Sequence, residues 1–163
     1  MKNFLAYTVF FLHFAACYSF KGISIPPEIR SFSIEPIEDP YYKAPATYPV
    51  DLSETLLNKI RRDTRLILNS GQPDLVFRCR IVQFEVNSQA PQPGIVSAIN
   101  RCTVGVEVEM ENLRDEKQNW KANFTRYQDF DAATNFSEVE QQLTAEINRL
   151  IAEDIYNRAF TNW

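Results

Sequence analysis

The sequence predicts an α+β fold: a two-layer sandwich with two helices on one face of a four-stranded mixed sheet, in the order β-α-β-β-β-α. Three observations predict it. Leu52 to Leu68 and Val139 to Phe160 carry apolar residues at helical spacing. Three segments between them alternate apolar with polar residues, the mark of half-buried strands. Each strand also keeps one polar face, so helices are needed only on the other.

The elements follow in chain order. Pro26, Pro27, Pro36, Pro40, Pro45 and Pro49 crowd the first third, which leaves room only for short extended pieces. Ile29 to Glu35 is the strand there, with Phe32 and Ile34 on one face, and Pro36 to Pro49 reads as a loop holding Tyr41, Tyr42 and Tyr48. The first helix is expected from Asp51, capped by Asp51-Leu52-Ser53-Glu54, with a stripe of Leu52, Leu56, Ile60, Ile67 and Leu68 and a stop at Gly71 and Pro73. Asp74 to Val86 is the next strand. Its apolar phase moves from Leu75, Phe77, Cys79 and Ile81 to Val82, Phe84 and Val86, which predicts a bulge near Ile81.

Ala98 to Glu111 alternates Cys102, Val104, Val106, Val108 and Met110 with Thr103, Glu107, Glu109 and Glu111. A long loop holding Pro91, Pro93 and Gly94 joins these two strands as a hairpin. Trp120 to Asp129 supplies the last strand. The final helix opens on Ser137-Glu138-Val139-Glu140, read as a capping box. Its stripe is Val139, Leu143, Ile147, Leu150, Ile151, Ile155 and Ala159.

The N-terminus reads as an address. Lys2 precedes an apolar run from Phe4 to Leu12, and the uncharged stretch from Asn3 to Ala16 is shorter than the ~20 residues a spanning helix needs. That is the anatomy of an export signal. Ala15 and Ala16 directly before Cys17 resemble a lipobox, with Phe14 where Leu is usual. The expected division is a signal over residues 1–16, an acylated tether over 17–27 with the lipid on Cys17, and one domain over 28–163. Two or three acyl chains hold a protein firmly on a membrane, at ~0.8 kcal/mol per buried methylene. By resemblance to enterobacterial sorting, Tyr18 stands where an Asp would retain the protein at the inner membrane, which implies the periplasmic side of the outer membrane as the expected place. An ordinary signal with an incidental Cys17 is the other reading.

Composition excludes several function classes. The formal charge is −4, and loss of Lys2 makes the remaining chain one unit more acidic. That is a poor balance for wrapping nucleic acid, whose affinity comes from neutralised phosphates. The single histidine, His13, lies in the expected signal. The domain then has no imidazole base, which removes Ser-His-Asp and Cys-His catalysis and most zinc chemistry. Glycines at 22, 71, 94 and 105 are too scattered to cradle a phosphate, and no cofactor is implied. An enzyme is not expected; a carboxylate-run hydrolase is the one catalytic class left.

Wording at the two ends adds a resemblance. Cys17-Tyr18-Ser19-Phe20-Lys21-Gly22-Ile23-Ser24-Ile25-Pro26 and Asp154-Ile155-Tyr156-Asn157-Arg158-Ala159-Phe160-Thr161-Asn162-Trp163 resemble the opening and closing segments of the Bacteroidetes branch of the LptE family. The element order looks like that family too. The resemblance implies a non-enzymatic outer-membrane lipoprotein that plugs and helps assemble the LptD β-barrel during lipopolysaccharide transport. A periplasm-facing binding module of another envelope complex is the alternative.

Two residue groups follow from the strands. Arg78 and Arg80 share a face, with Arg101 and Lys121 on adjoining strands, and guanidinium forks suit lipid A phosphates. Cross-strand pairing with Glu107 and Glu109 is the competing reading. Cys79 and Cys102 both point to the apolar face. An oxidising compartment permits a disulfide between them, but a long loop leaves the strand register unfixed, and packing as free thiols is the favoured reading.

Overall fold

In a computed structural model, residues 25–90 and 98–161 are described. The elements are β1 (Ser31–Ile34), α1 (Tyr48–Asp63), β2 (Ile67–Leu68), β3 (Leu75–Gln89), β4 (Ile99–Asn112), β5 (Trp120–Asp131) and α2 (Phe136–Phe160). A short 3-10 turn over Glu116–Gln118 lies between β4 and β5.

The sheet order is β2-β1-β3-β4-β5, with β1 parallel to both neighbours and β3, β4 and β5 antiparallel. Both helices pack on one face, so the α+β sandwich and mixed sheet stand. The strand count is five rather than four.

The fifth strand comes from the expected end of the first helix. Thr64 turns extended (φ −133°, ψ 170°), and its N–H and hydroxyl both donate to the Ile60 carbonyl. Ile67 N–H then donates to Arg30 O and Asn69 N–H to Phe32 O, seating Ile67–Leu68 on the edge of β1. Ile67 and Leu68 are 70% and 42% exposed, so the buried stripe ends at Ile60. Arg65 Nη2 holds the start of the domain, donating to the carbonyls of Ile25 (2.9 Å) and Pro26 (2.8 Å).

Both helices also start elsewhere than the capping signals indicate. α1 begins at Tyr48, which is buried rather than in a loop, and Pro49 falls in the first turn, where a missing N–H costs nothing. Asp51 is then a first-turn carboxylate at the positive end of the helix, not its cap. α2 is led by Asn135, whose Nδ2 donates to Glu138 Oε1 (3.0 Å), and Ser137 lies inside the first turn.

The predicted bulge is present. The register of β3 against β4 shifts between Ile81 and Gln83, which carries the inward set from Phe77, Cys79 and Ile81 to Phe84 and Val86. Gly105 faces Gln83 at this point. A Cβ on Gly105 would meet Gln83 Cβ at 3.1 Å and Thr125 Oγ1 at 3.4 Å, so a larger residue here fits only if Gln83 gives by a few tenths of an ångström.

The core lies between sheet and helices. Phe32, Leu52, Leu56, Ile60, Phe77, Ile81, Val104, Val106, Val108, Ile147, Ile151 and Ile155 are fully buried there. At ~1.5–3 kcal/mol per buried large side chain, this shared core is what holds the two layers together. Arg126 reaches inward from β5 and meets Asp154 of α2 through two 2.6 Å hydrogen bonds.

Candidate functional site: the uncovered sheet face

Strand alternation puts Arg78 and Arg80 of β3, Thr103, Glu107, Glu109 and Glu111 of β4, and Lys121, Asn123 and Thr125 of β5 on the face without helices. The register sets Arg78 opposite Glu109 and Glu109 opposite Lys121; the next row is Arg80, Glu107, Asn123. Three of the four predicted cations therefore gather. They line a small cavity of about 90 Å³ together with Glu35 and Glu38, which follow β1.

Each cation already has a partner. Arg78 contacts Glu111 at 2.8 Å and Glu35 at 3.1 Å, and the Glu111 hydrogen bond raises the guanidinium pKa further. Arg80 meets Glu38 at 3.1 Å and Glu107 at 4.0 Å, and Lys121 meets Glu107 at 2.9 Å. With Glu109 beside them, the carboxylates outnumber the cations. Carboxylate pairing thus describes the resting state of this face, through Glu107 as expected, but with Glu111, Glu35 and Glu38 in place of Glu109, which makes no ion pair among the described residues.

Arg101 does not join them. It lies six positions from Glu107 on β4, about 20 Å away at the usual strand rise. There it makes a bidentate pair with Asp129 (2.6 and 2.9 Å) and stacks 3.7 Å over the Tyr127 ring. The hydrogen bond from Arg101 holds the Asp129 carboxyl below its ordinary range.

Cys79 and Cys102 are both buried and free. Cys79 pairs with Val108 and Cys102 with Val86, which separates them by about 20 Å along the hairpin, whereas a disulfide needs Cα atoms within ~7 Å. The disulfide is not made. Burial pushes the two thiols up, to about 12 and about 11.

Sequence reasoning missed two polar features. Asp74, 4% exposed, clamps the head of β3: Oδ2 accepts from Arg30 N (2.9 Å), Ser31 N (3.0 Å) and Ser31 Oγ (2.9 Å), and Oδ1 accepts from Arg114 Nε (2.6 Å). The Arg30 amide, followed by Arg114 and Ser31, holds this carboxyl down to about 2 against the opposing effect of burial. The second feature is a cavity of about 420 Å³ walled by Ile29, Leu75, Met110 and Phe160, with Lys117 and Arg158 at its polar lining. Arg158 sits 5.9 Å over the Trp120 ring, and neither cation makes an ion pair among the described residues. Lys117 lies in a turn and Arg158 on a helix, so no single periodic pattern links them.

Cys17 and the expected signal lie outside the described residues. Among the described residues no helix is long and apolar enough to cross a membrane, and no three His, Cys, Asp or Glu side chains could share a metal ion.

The described residues form a small α+β domain with one open, charge-paired sheet face. The family model described as LptE, lipopolysaccharide-assembly, matches residues 29–159, and the chain belongs to that family of non-enzymatic, envelope-associated lipoproteins. Solved structures share the fold. A minor lipoprotein from Acinetobacter baumannii aligns with TM-score 0.53 and 13% identity, covering 80% of this chain and 92% of its own. A hypothetical protein from Chlamydia trachomatis gives 0.54 and 10%, over 82% and 99%. A protein from Xanthomonas campestris gives 0.56 and 6%, over 82% and 87%. The comparison with curated proteins found no match.

Proposed function

We propose that this protein is an outer-membrane lipoprotein that plugs an LptD-type β-barrel and assists its assembly in lipopolysaccharide transport. The observation that carries this reading is the family match over residues 29–159. In this reading residues 1–16 are removed, Cys17 is acylated, residues 17–27 tether the domain, and residues 28–163 work on the periplasmic side of the membrane. The sheet face free of helices turns toward the barrel wall.

Lipopolysaccharide phosphates would meet Arg78, Arg80, Lys121 and Arg101 by partner exchange. Exposed ion pairs contribute only ~0–1 kcal/mol each, so trading a carboxylate for a phosphate costs little. Lys117 and Arg158 need no exchange, and the apolar wall beside them suits an acyl chain.

Affinity purification of the tagged, acylated chain from outer membranes should recover one large β-barrel protein in stoichiometric amount. Recovery of a different envelope complex would favour the alternative module and overturn this reading. Arg78→Ala with Arg80→Ala should weaken lipopolysaccharide binding severalfold while the melting temperature barely moves. Unchanged binding in that variant, with loss in Lys117→Ala plus Arg158→Ala, would move the phosphate contact to the cavity.

A further inference from the structure

The helix layer carries its own polar groove, independent of the sheet face. α1 and α2 run side by side in the same direction, Asp51 beside Glu140 at one end and Asp63 beside Tyr156 at the other. The second half of this seam is closed by the protein itself. Lys59 Nζ enters between the helices to meet Asp63 (2.9 Å) and Glu153 (3.7 Å), 4.8 Å above the Tyr156 ring. Tyr156 adds a hydrogen bond from its hydroxyl to the Asp63 carbonyl, 3.2 Å.

The first half of the seam is open. A groove of about 560 Å³ runs between Asp51, Glu54 and Asn58 on α1 and Glu140, Thr144 and Asn148 on α2. Asp51, Glu54 and Glu140 make no ion pair among the described residues, whereas Arg149 nearby is taken by Glu146 and Glu153. The floor is unusual for a helix interface. Thr144 satisfies its hydroxyl on the Glu140 carbonyl (2.7 Å), but Asn148, 1% exposed, leaves Oδ1 without a donor. An unsatisfied buried amide oxygen costs ~1–3 kcal/mol, a penalty that an incoming donor would remove.

We propose that this groove docks a basic segment of a partner protein, one arginine or lysine side chain entering between the helices as Lys59 does further along. The three carboxylates supply the opposite charge and Asn148 Oδ1 accepts at the floor. A phosphate-bearing lipid is repelled by the same walls. A divalent cation does not fit either, since no three such groups among the described residues converge to share one. A long side chain with several N–H donors spans the groove instead.

The test is nuclear magnetic resonance on the isotope-labelled, acylated chain in detergent, titrated with a glycine–arginine peptide and with its citrulline counterpart. The Asn58 and Asn148 side-chain amides should shift, with affinity about tenfold higher for arginine than for neutral citrulline. Asp51→Asn, Glu54→Gln and Glu140→Gln together should erase that difference while the fold is kept, because none of the three makes an ion pair among the described residues and Asp51 gives up only its interaction with the start of α1. Equal shifts with both peptides, shifts confined to other surfaces, or no shift would overturn the proposal. So would calcium chloride moving the same amides at lower concentration than the arginine peptide.

Discussion

Asp74→Asn removes one charge and hardly any volume from the clamp that joins β1, β3 and the turn after β4. The same contacts give the size of the effect in two ways. A carboxyl held down from 3.8 to about 2 corresponds to ~2.4 kcal/mol at neutral pH, at 1.36 kcal/mol per unit. Four donors converge on this carboxylate, two of them backbone N–H groups of Arg30 and Ser31. Hydrogen bonds to a charged group are worth ~1.5–3 kcal/mol each and do not add, so a loss of about 2–4 kcal/mol brackets the first figure. The sign of the pH dependence follows. The folded pKa lies below the unfolded one, so the stabilisation is complete above about pH 4 and fades as pH falls through 2. About half of it, ~1.3 kcal/mol, remains at pH 3. Urea unfolding of both chains at pH 7 and pH 3 measures the difference, in which the other depressed carboxylates, Asp63, Asp129 and Glu146, cancel. A loss below 1 kcal/mol at pH 7, or a gap that does not narrow toward pH 3, would refute the clamp.

Other outcomes are equally concrete. Cys79 and Cys102, buried with raised pKa values, should react with an aromatic disulfide reagent at pH 8 only as fast as the domain opens; rapid labelling of either contradicts the packing. Gly105→Val should lower the urea midpoint by the equivalent of ~1–3 kcal/mol, since its methyls press on Gln83 and Thr125, and an unchanged midpoint would show that the bulge has slack.

The hairpin β3–β4, β5 and α2 were legible because each buries one face, and burial on one face writes its period into the sequence. The bulge was legible for the same reason: the phase slipped in plain view at Ile81. Ile67 and Leu68 misled because they continue a helical spacing by chance. What decides their fate is pairing with Ser31 and Phe32, residues far back in the chain. The gathering of Arg78, Arg80 and Lys121 followed from strand alternation. Their partners Glu35 and Glu38 did not, because those lie 43 and 42 residues upstream on the chain. Arg101 shows the limit of alternation, which assigns a face but not a distance along it. Asp74 was silent because its first two donors are backbone amides, which carry no residue signature. Asn148 was hidden within a helix whose apolar stripe drew the eye to the neighbouring side.

The two borders of the sheet are unlike, and this limits how copies of the protein can join. One border, β2, is two residues long, while the other, β5, extends from Trp120 to Asp131. Endless stacking of sheets requires a long border on each side of every unit, so that one copy's end can seed the next. Among the described residues only β5 against β5 offers enough backbone, and that arrangement is self-terminating: two copies meet and no free long border remains among them. Arg126, on the helix side of β5 and paired with Asp154, puts a charge on that border as well. A chain with borders this unequal is protected from fibre growth by the shortness of a single strand.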